Sequence, residues 1–341
     1  MRVLQVMAGA EFGGAEEFFT RLAIALHKTD VEQRVFIRQN NTRSEHLIKN
    51  GVEPTQLKFG GKFDFRTPWA LKGYVKKFKP DIIFSWMNRA TSMCPTEGSF
   101  IHVGRLGGYY NLKYYQNCNH LVANTKDIAT YLINNGWNKD KVHYLPNFVN
   151  ERRTQPMDRK KFFTPNNVPL ILAMGRLHKN KAFDVLLEAI AQIPNIYLWL
   201  AGDGPLREDL EAQAEKLGIK PRTRFLGWRN DPEKLFATAD LFICPSRHEP
   251  LGNVVVESWA QGVAVIAANS FGPKDLIRHG ENGILFPVDD IRGLTDSIRY
   301  LIDNPEVIER ITTQAIEDYK DNFTEKIVVE EYLNFFERVA I

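Results

Sequence analysis

Arg176 and Lys181 stand five residues apart in Gly175-Arg176-Leu177-His178-Lys179-Asn180-Lys181, directly after the strand-like run Leu170–Met174. At a strand end such a pair can grip a diphosphate, the arginine as a planar bidentate fork and the lysine as a point charge. A solvated basic loop has the same composition. Farther along, Glu249 and Glu257 stand eight apart around Pro250-Leu251-Gly252-Asn253-Val254, where a helix is predicted to begin. Backbone amides over 251–254 can face an anion while the two carboxylates accept hydroxyl groups. With 41 acidic residues in 341, roughly five pairs of that spacing arise by chance. The loop around the pair carries the reading, and a helix-start acid beside a loop acid is the plain alternative.

Three more loops have compositions that packing alone does not demand. Gly9-Ala10-Glu11-Phe12-Gly13-Gly14-Ala15-Glu16 puts Gly13 and Gly14 before a helix, where bare backbone can approach an anion; it also reads as a tight turn with Glu16 as capping acid. Ala201-Gly202-Asp203-Gly204-Pro205 is a strand-to-helix turn, with Pro205 suited to the first helical position. Phe225-Leu226-Gly227-Trp228 can lay backbone groups beside a flat ligand, or simply pack. No GxGxxG occurs, which argues against a dinucleotide-dependent dehydrogenase. No Asp-x-Asp triplet occurs, and Cys94, Cys118 and Cys244 are far apart, so neither a metal–diphosphate clamp nor a zinc site is expected.

These loops need strand ends to hold them. The 341 residues, 44% apolar and 25% charged, suffice for two domains of about 150 residues each. Predicted strands (Arg2–Met7, Val35–Arg38, Asp81–Ser85, Phe100–Val103, Leu121–Asn124, Val142–Leu145) alternate with helices at Glu16–His27, Trp69–Phe78 and Lys126–Asn134. The pattern restarts after a polar stretch. Strands are predicted at Leu170–Met174, Ile196–Ala201, Thr223–Leu226, Leu241–Cys244 and Val263–Ala267, with helices at Ala182–Ala191, Pro205–Leu217, Pro232–Ala237 and Val254–Gln261. Alternation of this kind means an α/β protein with two doubly wound parallel sheets. The expected boundaries are 1–150, a linker over 151–168, a second domain over 169–322, and a terminal amphipathic helix within 323–341. No run approaches the ~18 apolar residues of a membrane span, and the N-terminus reads as a core strand, not a signal peptide, so a cytoplasmic protein is expected. The net charge of +3 divides unevenly: residues 1–150 carry 20 basic and 12 acidic side chains, +8, and the remainder 24 and 29, −5.

Taken in order, GGAE near the N-terminus, GRLxxxK, GDGPLRE, FLGW and E-x7-E before an apolar helix resemble family 4 glycosyltransferases over nearly the whole chain, most specifically in its second half. The resemblance implies the GT-B fold, two Rossmann-like domains facing across a cleft, and transfer of a sugar from a UDP- or GDP-linked donor with retention of anomeric configuration. No metal and no further cofactor are implied. By position, Arg176 and Lys181 correspond to the pair that neutralises the donor diphosphate, and Glu249 to the carboxylate on the donor sugar. Glu257 corresponds to the acid on the ribose hydroxyls, the amides of Gly252, Asn253 and Val254 to phosphate donors, and Gly14, with Gly13, to the glycine that meets the diphosphate. Gly202 and Leu226 would border the nucleotide. Two departures stand out. The family pattern has KG where this chain has Lys181-Ala182. In the family a histidine follows an N-domain strand, whereas here, in His102-Val103-Gly104-Arg105-Leu106-Gly107-Gly108-Tyr109, Arg105 falls at that place. Arg105, His102 and Tyr109 are therefore the acceptor-side candidates, with a core role as the alternative for His102.

The acceptor is expected on the basic half. Lys58, Lys62, Arg66, Lys72, Lys76, Lys77 and Lys79 interleave with Phe59, Phe63, Phe65, Trp69, Tyr74 and Phe78. Basic and aromatic residues on a short amphipathic helix suit an anionic membrane surface; a solvated helix with its aromatics in the core is the other reading. The expected partners are a nucleotide sugar and a glycan or lipid-linked acceptor, such as a lipopolysaccharide core, at the inner membrane face, and no nucleic acid. A UDP-sugar 2-epimerase on the same scaffold and a sugar-nucleotide-binding protein without turnover remain as alternatives.

Overall fold

The computed structural model describes residues 1–11, 13–61, 64–149 and 153–340. Phe12 of the first glycine loop, Lys62 and Phe63 of the basic-aromatic run, and the first two residues of the expected linker lie outside the described residues.

The chain divides into two units, one formed by Met1–Phe148 with the terminal helix, the other by Val149–Thr324. In the first, β1 (Arg2–Met7), β2 (Glu32–Arg38), β3 (Pro54–Leu57), β4 (Ile82–Trp86), β5 (Ile101–Leu106), β6 (His120–Ala123) and β7 (Val142–Tyr144) form one parallel sheet in the order β3-β2-β1-β4-β5-β6-β7. The helices are α1 (Gly14–His27), α2 (Asn41–Lys49), α3 (Arg66–Phe78), α4 (Met87–Met93) and α5 (Lys126–Asn134). Val3 to Met7 and all of β4 are buried, as strands covered by helices on both faces must be. Of these elements, α2, β3 and α4 carry no apolar periodicity in the sequence. β5 runs on to Leu106, three residues past the predicted end, so Arg105 lies within the strand and not on the loop after it.

The second unit holds β8 (Leu170–Met174), β9 (Tyr197–Ala201), β10 (Thr223–Gly227), β11 (Leu241–Cys244), β12 (Ala264–Ala268) and β13 (Ile284–Phe286), ordered β10-β9-β8-β11-β12-β13. Its helices are α6 (Phe183–Ala191), α7 (Arg207–Lys216), α8 (Pro232–Thr238), α9 (Asn253–Gln261), α10 (Phe271–Leu276), α11 (Ile291–Asp303) and α12 (Pro305–Asn322). The polar stretch before β8 is fastened to this unit. Arg159 donates to the Thr238 carbonyl at 2.7 Å and to Asp240 at 2.9 Å, and Trp199 Nε1 donates to Thr164 Oγ1 at 2.9 Å.

The last helix, α13 (Glu325–Ala340), returns to the first unit, where Val328, Tyr332 and Phe336 are fully buried. Each such side chain contributes about 1.5–3 kcal/mol, and Phe336 and Tyr332 set their rings against Phe84 at 5.4 and 5.9 Å.

In open parallel sheets, ligands collect beyond the carboxyl ends of strands where the strand order reverses. Here the reversals lie between β1 and β4, and between β8 and β11. The loop Gly9–Glu16 leaves β1, Arg176 and Lys181 follow β8, and Glu249 follows β11. Among the described residues no helix is long and apolar enough to cross a membrane.

Candidate functional site

Three loops of the second unit lock together through their backbones. Gly202 N donates to the Gly227 carbonyl at 2.8 Å, Gly175 N to Ala201 at 3.0 Å, and Leu177 N to Asp203 at 2.9 Å. A Cβ on Gly202 would sit 1.9 Å from the Gly175 carbonyl oxygen, and one on Gly204 2.5 Å from that of Leu177. Gly202 and Gly204, with φ of +140° and +158°, therefore allow close backbone approach, which fixes the path of the segment bearing Arg176. Arg176 itself is exposed and makes no hydrogen bond or ion pair among the described residues. Leu226 is half-buried and packs against the core beneath β8.

Lys181 lies in a short 3-10 turn (Lys179–Lys181) ended by Ala182, which takes the left-handed conformation at φ 51°. That explains the family glycine at this position: alanine reaches the same backbone against a steric cost. The Lys181 ammonium donates to Glu249 Oε2, and these side chains are only 22% and 10% exposed. Burial pushes the lysine downward, but the Glu249 carboxylate outweighs it and holds the ammonium above the ordinary lysine range. An ammonium has three protons, so one bond to Glu249 leaves donors for a ligand.

The segment carrying Glu249 is held on both sides. His248 N donates to the Asn180 carbonyl at 3.2 Å, and Gly272 N to the Glu249 carbonyl at 2.7 Å. Arg247 binds Asp184 through two guanidinium nitrogens at 3.0 and 2.6 Å, and Asp289 at 2.6 Å. A Cβ on Gly272 would stand 2.7 Å from the Glu249 oxygen and from Gly252 N. Gly272 and Arg247 were not among the sequence candidates. The signal for the first was Phe271-Gly272-Pro273 after a strand, one more glycine loop on the same side of the sheet. Gly252 sits at φ +68° as the residue before α9, and no side chain caps that helix. Asn253 and Val254 open its first turn, and Glu257, half-buried, lies one turn in.

In the first unit, the Glu16 carboxylate curls back beneath the glycine loop and accepts from Ala10 N at 2.7 Å. Cβ atoms on Gly9 and Gly13 would lie 2.5 and 2.4 Å from its oxygens. Glu16 therefore ties down the loop before α1 and is not a helix cap, since no side chain caps α1, and Gly13 leaves room for it. Gly14, exposed, is the first residue of α1.

Two acceptor-side candidates are corrected. His102 is 3% exposed and shares a proton with Ser85 Oγ at 2.9 Å; burial pushes it down to about 4, so it is a neutral core histidine. Arg105 is 1% exposed. Its guanidinium lies 4.7 Å from the Phe18 ring centre and 4.4 Å from that of Trp86, donates to Tyr332 Oη at 3.0 Å and to Asn147 Oδ1 at 2.5 Å, and so ties β5 to α13. Tyr109, half-buried, donates to Asp127.

Residues 154–318 match the model of glycosyl transferases group 1, and residues 12–153 that of glycosyltransferase family 4. The chain is 36% identical to the lipopolysaccharide core biosynthesis glycosyltransferase LpsD of Rhizobium meliloti, over 99% of this chain and 98% of that protein. It is 34% identical to LpsE of the same organism, described in the same words, over 94% and 95%. Among solved structures, Anabaena HepE in complex with UDP superposes with a TM-score of 0.87 at 20% identity, over 99% and 100% of the two chains.

Proposed function

The chain belongs to the family 4 glycosyltransferases, and from that premise we propose that it moves a sugar from a UDP-linked donor to a lipopolysaccharide core glycan, retaining the anomeric configuration and using no metal. The observation that carries the site is the Lys181–Glu249 pair beside the unpartnered Arg176, at the reversal between β8 and β11. Leaving-group departure loads negative charge onto the nucleotide diphosphate. Arg176, the remaining protons of Lys181 and the uncapped start of α9 meet that charge, a preorganised set of donors whose effect grows as the bond breaks. Glu249, held by its backbone to Gly272, accepts from the donor sugar, and Glu257 from the ribose. The relation to LpsD and LpsE supports the acceptor class, and the UDP held by HepE supports the nucleotide.

The test uses the truncated glycan from cells in which the gene for this chain is deleted, with labelled UDP- and GDP-sugars. Transfer is expected to persist in excess EDTA with the donor's anomeric configuration in the product. Loss of transfer in EDTA would overturn the metal-free reading, and an epimerised sugar nucleotide formed from donor alone would favour the 2-epimerase.

We also propose that α3 rests on an anionic membrane. Thr67, Leu71 and Val75 face the core, while Phe65 and Trp69 are 75% and 80% exposed. They continue at helical spacing into the exposed Lys72 and Lys76. Phe59 is fully buried and Tyr74 packs on Phe36 at 4.8 Å, so only part of the aromatic run is free for this role. The protein is expected to float with phosphatidylglycerol vesicles at low salt, with Trp69→Ala weakening binding roughly tenfold, as losing one inserted ring should. Equal flotation of the variant would remove α3 from the contact.

A further inference from the structure

Between the loop leaving β1 and the start of α2 the first unit contains a crevice of about 840 Å³. Apart from the methyl group of Ala10, every side chain lining it is polar; Glu11, Arg38, Gln39, Asn41, Thr42 and Gln56 supply most of the wall. Its frame is fixed from behind. Arg43, 7% exposed, donates at 3.0 Å to the carbonyls of both Ala10 and Glu11. Asn40 caps α2 by accepting from Arg43 N at 2.8 Å, and Asn40 N donates to Gln56 Oε1 at 2.9 Å. Asn40 and Gln56 are thus engaged with the frame, and the other polar side chains of the lining are not. The side chains of Arg38, Glu11, Gln39, Asn41 and Thr42 make no hydrogen bond or ion pair among the described residues. The first turn of α2 contains no acidic residue to meet its open amides.

A frame lined by solvent-facing polar side chains, with a mainly polar surface, suits a hydroxylated ligand better than a nucleobase or an acyl chain. Side-chain amides both donate and accept, as sugar hydroxyls do. Arg38 and the amides of Asn41 and Thr42 provide cationic and helix-end donors on one wall, the combination that holds a carboxylate or phosphate. We propose that this crevice is the acceptor subsite, and that it takes a glycan unit bearing an anionic substituent. Arg38 and the start of α2 hold the anion, while Gln39, Gln56 and Glu11 hold hydroxyls. The inference rests on the glycosyltransferase reading above and adds to it the charge of the unit that is recognised.

The full chain is assayed with the truncated glycan of the deletion strain in three forms: untreated, treated with phosphatase, and with its carboxyl groups reduced. Arg38→Ala is expected to raise the acceptor KM tenfold or more, leaving donor KM and kcat at saturating acceptor within about twofold, and Arg38→Lys to recover part of the loss. Removing the anion from the glycan should raise the KM of the unaltered protein equally and leave Arg38→Ala unchanged; the effective treatment identifies phosphate or carboxylate. Wild-type acceptor KM in Arg38→Ala, or indifference to both treatments, overturns the subsite while the glycosyltransferase reading stands. No transfer by the unaltered protein from any sugar nucleotide overturns that reading and the subsite with it.

Discussion

Replacing Lys181 by methionine is expected to lower kcat by about 10²–10³, the usual effect of deleting one preorganised donor aimed at developing negative charge. The ammonium is held by Glu249 and kept charged against its own burial, so it is already oriented when the leaving group departs. The same substitution leaves the Glu249 carboxylate, 10% exposed, without its cation. Breaking a buried pair from one side costs about 3–5 kcal/mol, so Tm falls together with turnover. The double variant Lys181→Met with Glu249→Gln separates the two effects, because a neutral amide has no buried charge to leave stranded. Tm should recover while kcat stays low. Arg176→Ala is the matching control, since an exposed and unpartnered guanidinium can be removed without a change in Tm, yet should cost kcat tenfold or more. Near-normal kcat in a folded Lys181→Met protein would take the lysine out of the chemistry.

How much of this was legible depended on where the cause lay. Strands such as Leu170–Met174, and Arg2–Met7 apart from Arg2 and the buried Gln5, are apolar runs because both their faces are covered, and the structure bounds them where the pattern does. The switch-point loops were legible for a related reason: close backbone approach admits only glycine, and charged side chains at strand ends have few purely structural uses. Yet Gly202 and Gly204 can be assigned to the approach of β9's loop onto the Arg176 segment only once the 1.9 and 2.5 Å collisions are seen. Helix α2 escaped because NTRSEHLIK buries a single large apolar side chain, Leu47; its signal was the cap at Asn40. Its missing amphipathic stripe is the counterpart of the polar crevice at its N-terminus. Gly272 escaped because the meaning of its loop comes from Glu249, 23 positions earlier, across a pair of strands that the sequence does not show as neighbours.

Arg105 is the harder case, and Arg105→Ala is expected to destabilise the first unit by about 3–5 kcal/mol while leaving kcat of the folded fraction near normal. The sequence places an arginine where the family histidine would stand, which invites a catalytic reading. Its surroundings come from Phe18, Trp86, Asn147 and Tyr332, as far as 227 positions away. Truncation removes two ring contacts to the guanidinium, each about 1–2 kcal/mol when desolvated, and leaves Tyr332 Oη and Asn147 Oδ1 without this donor in a buried site, about 1–3 kcal/mol each. Partial collapse of the space between the rings offsets some of this. Because Tyr332 belongs to α13, the loss should appear first as release of that helix, read as faster amide exchange over Glu325–Ala340 than over β1. Arg105→Met keeps the volume and should cost less than alanine; Arg105→His should not recover the stability, since no histidine reaches Tyr332 and Asn147 together from within β5. A fall in kcat with Tm and α13 exchange unchanged would return Arg105 to the acceptor side.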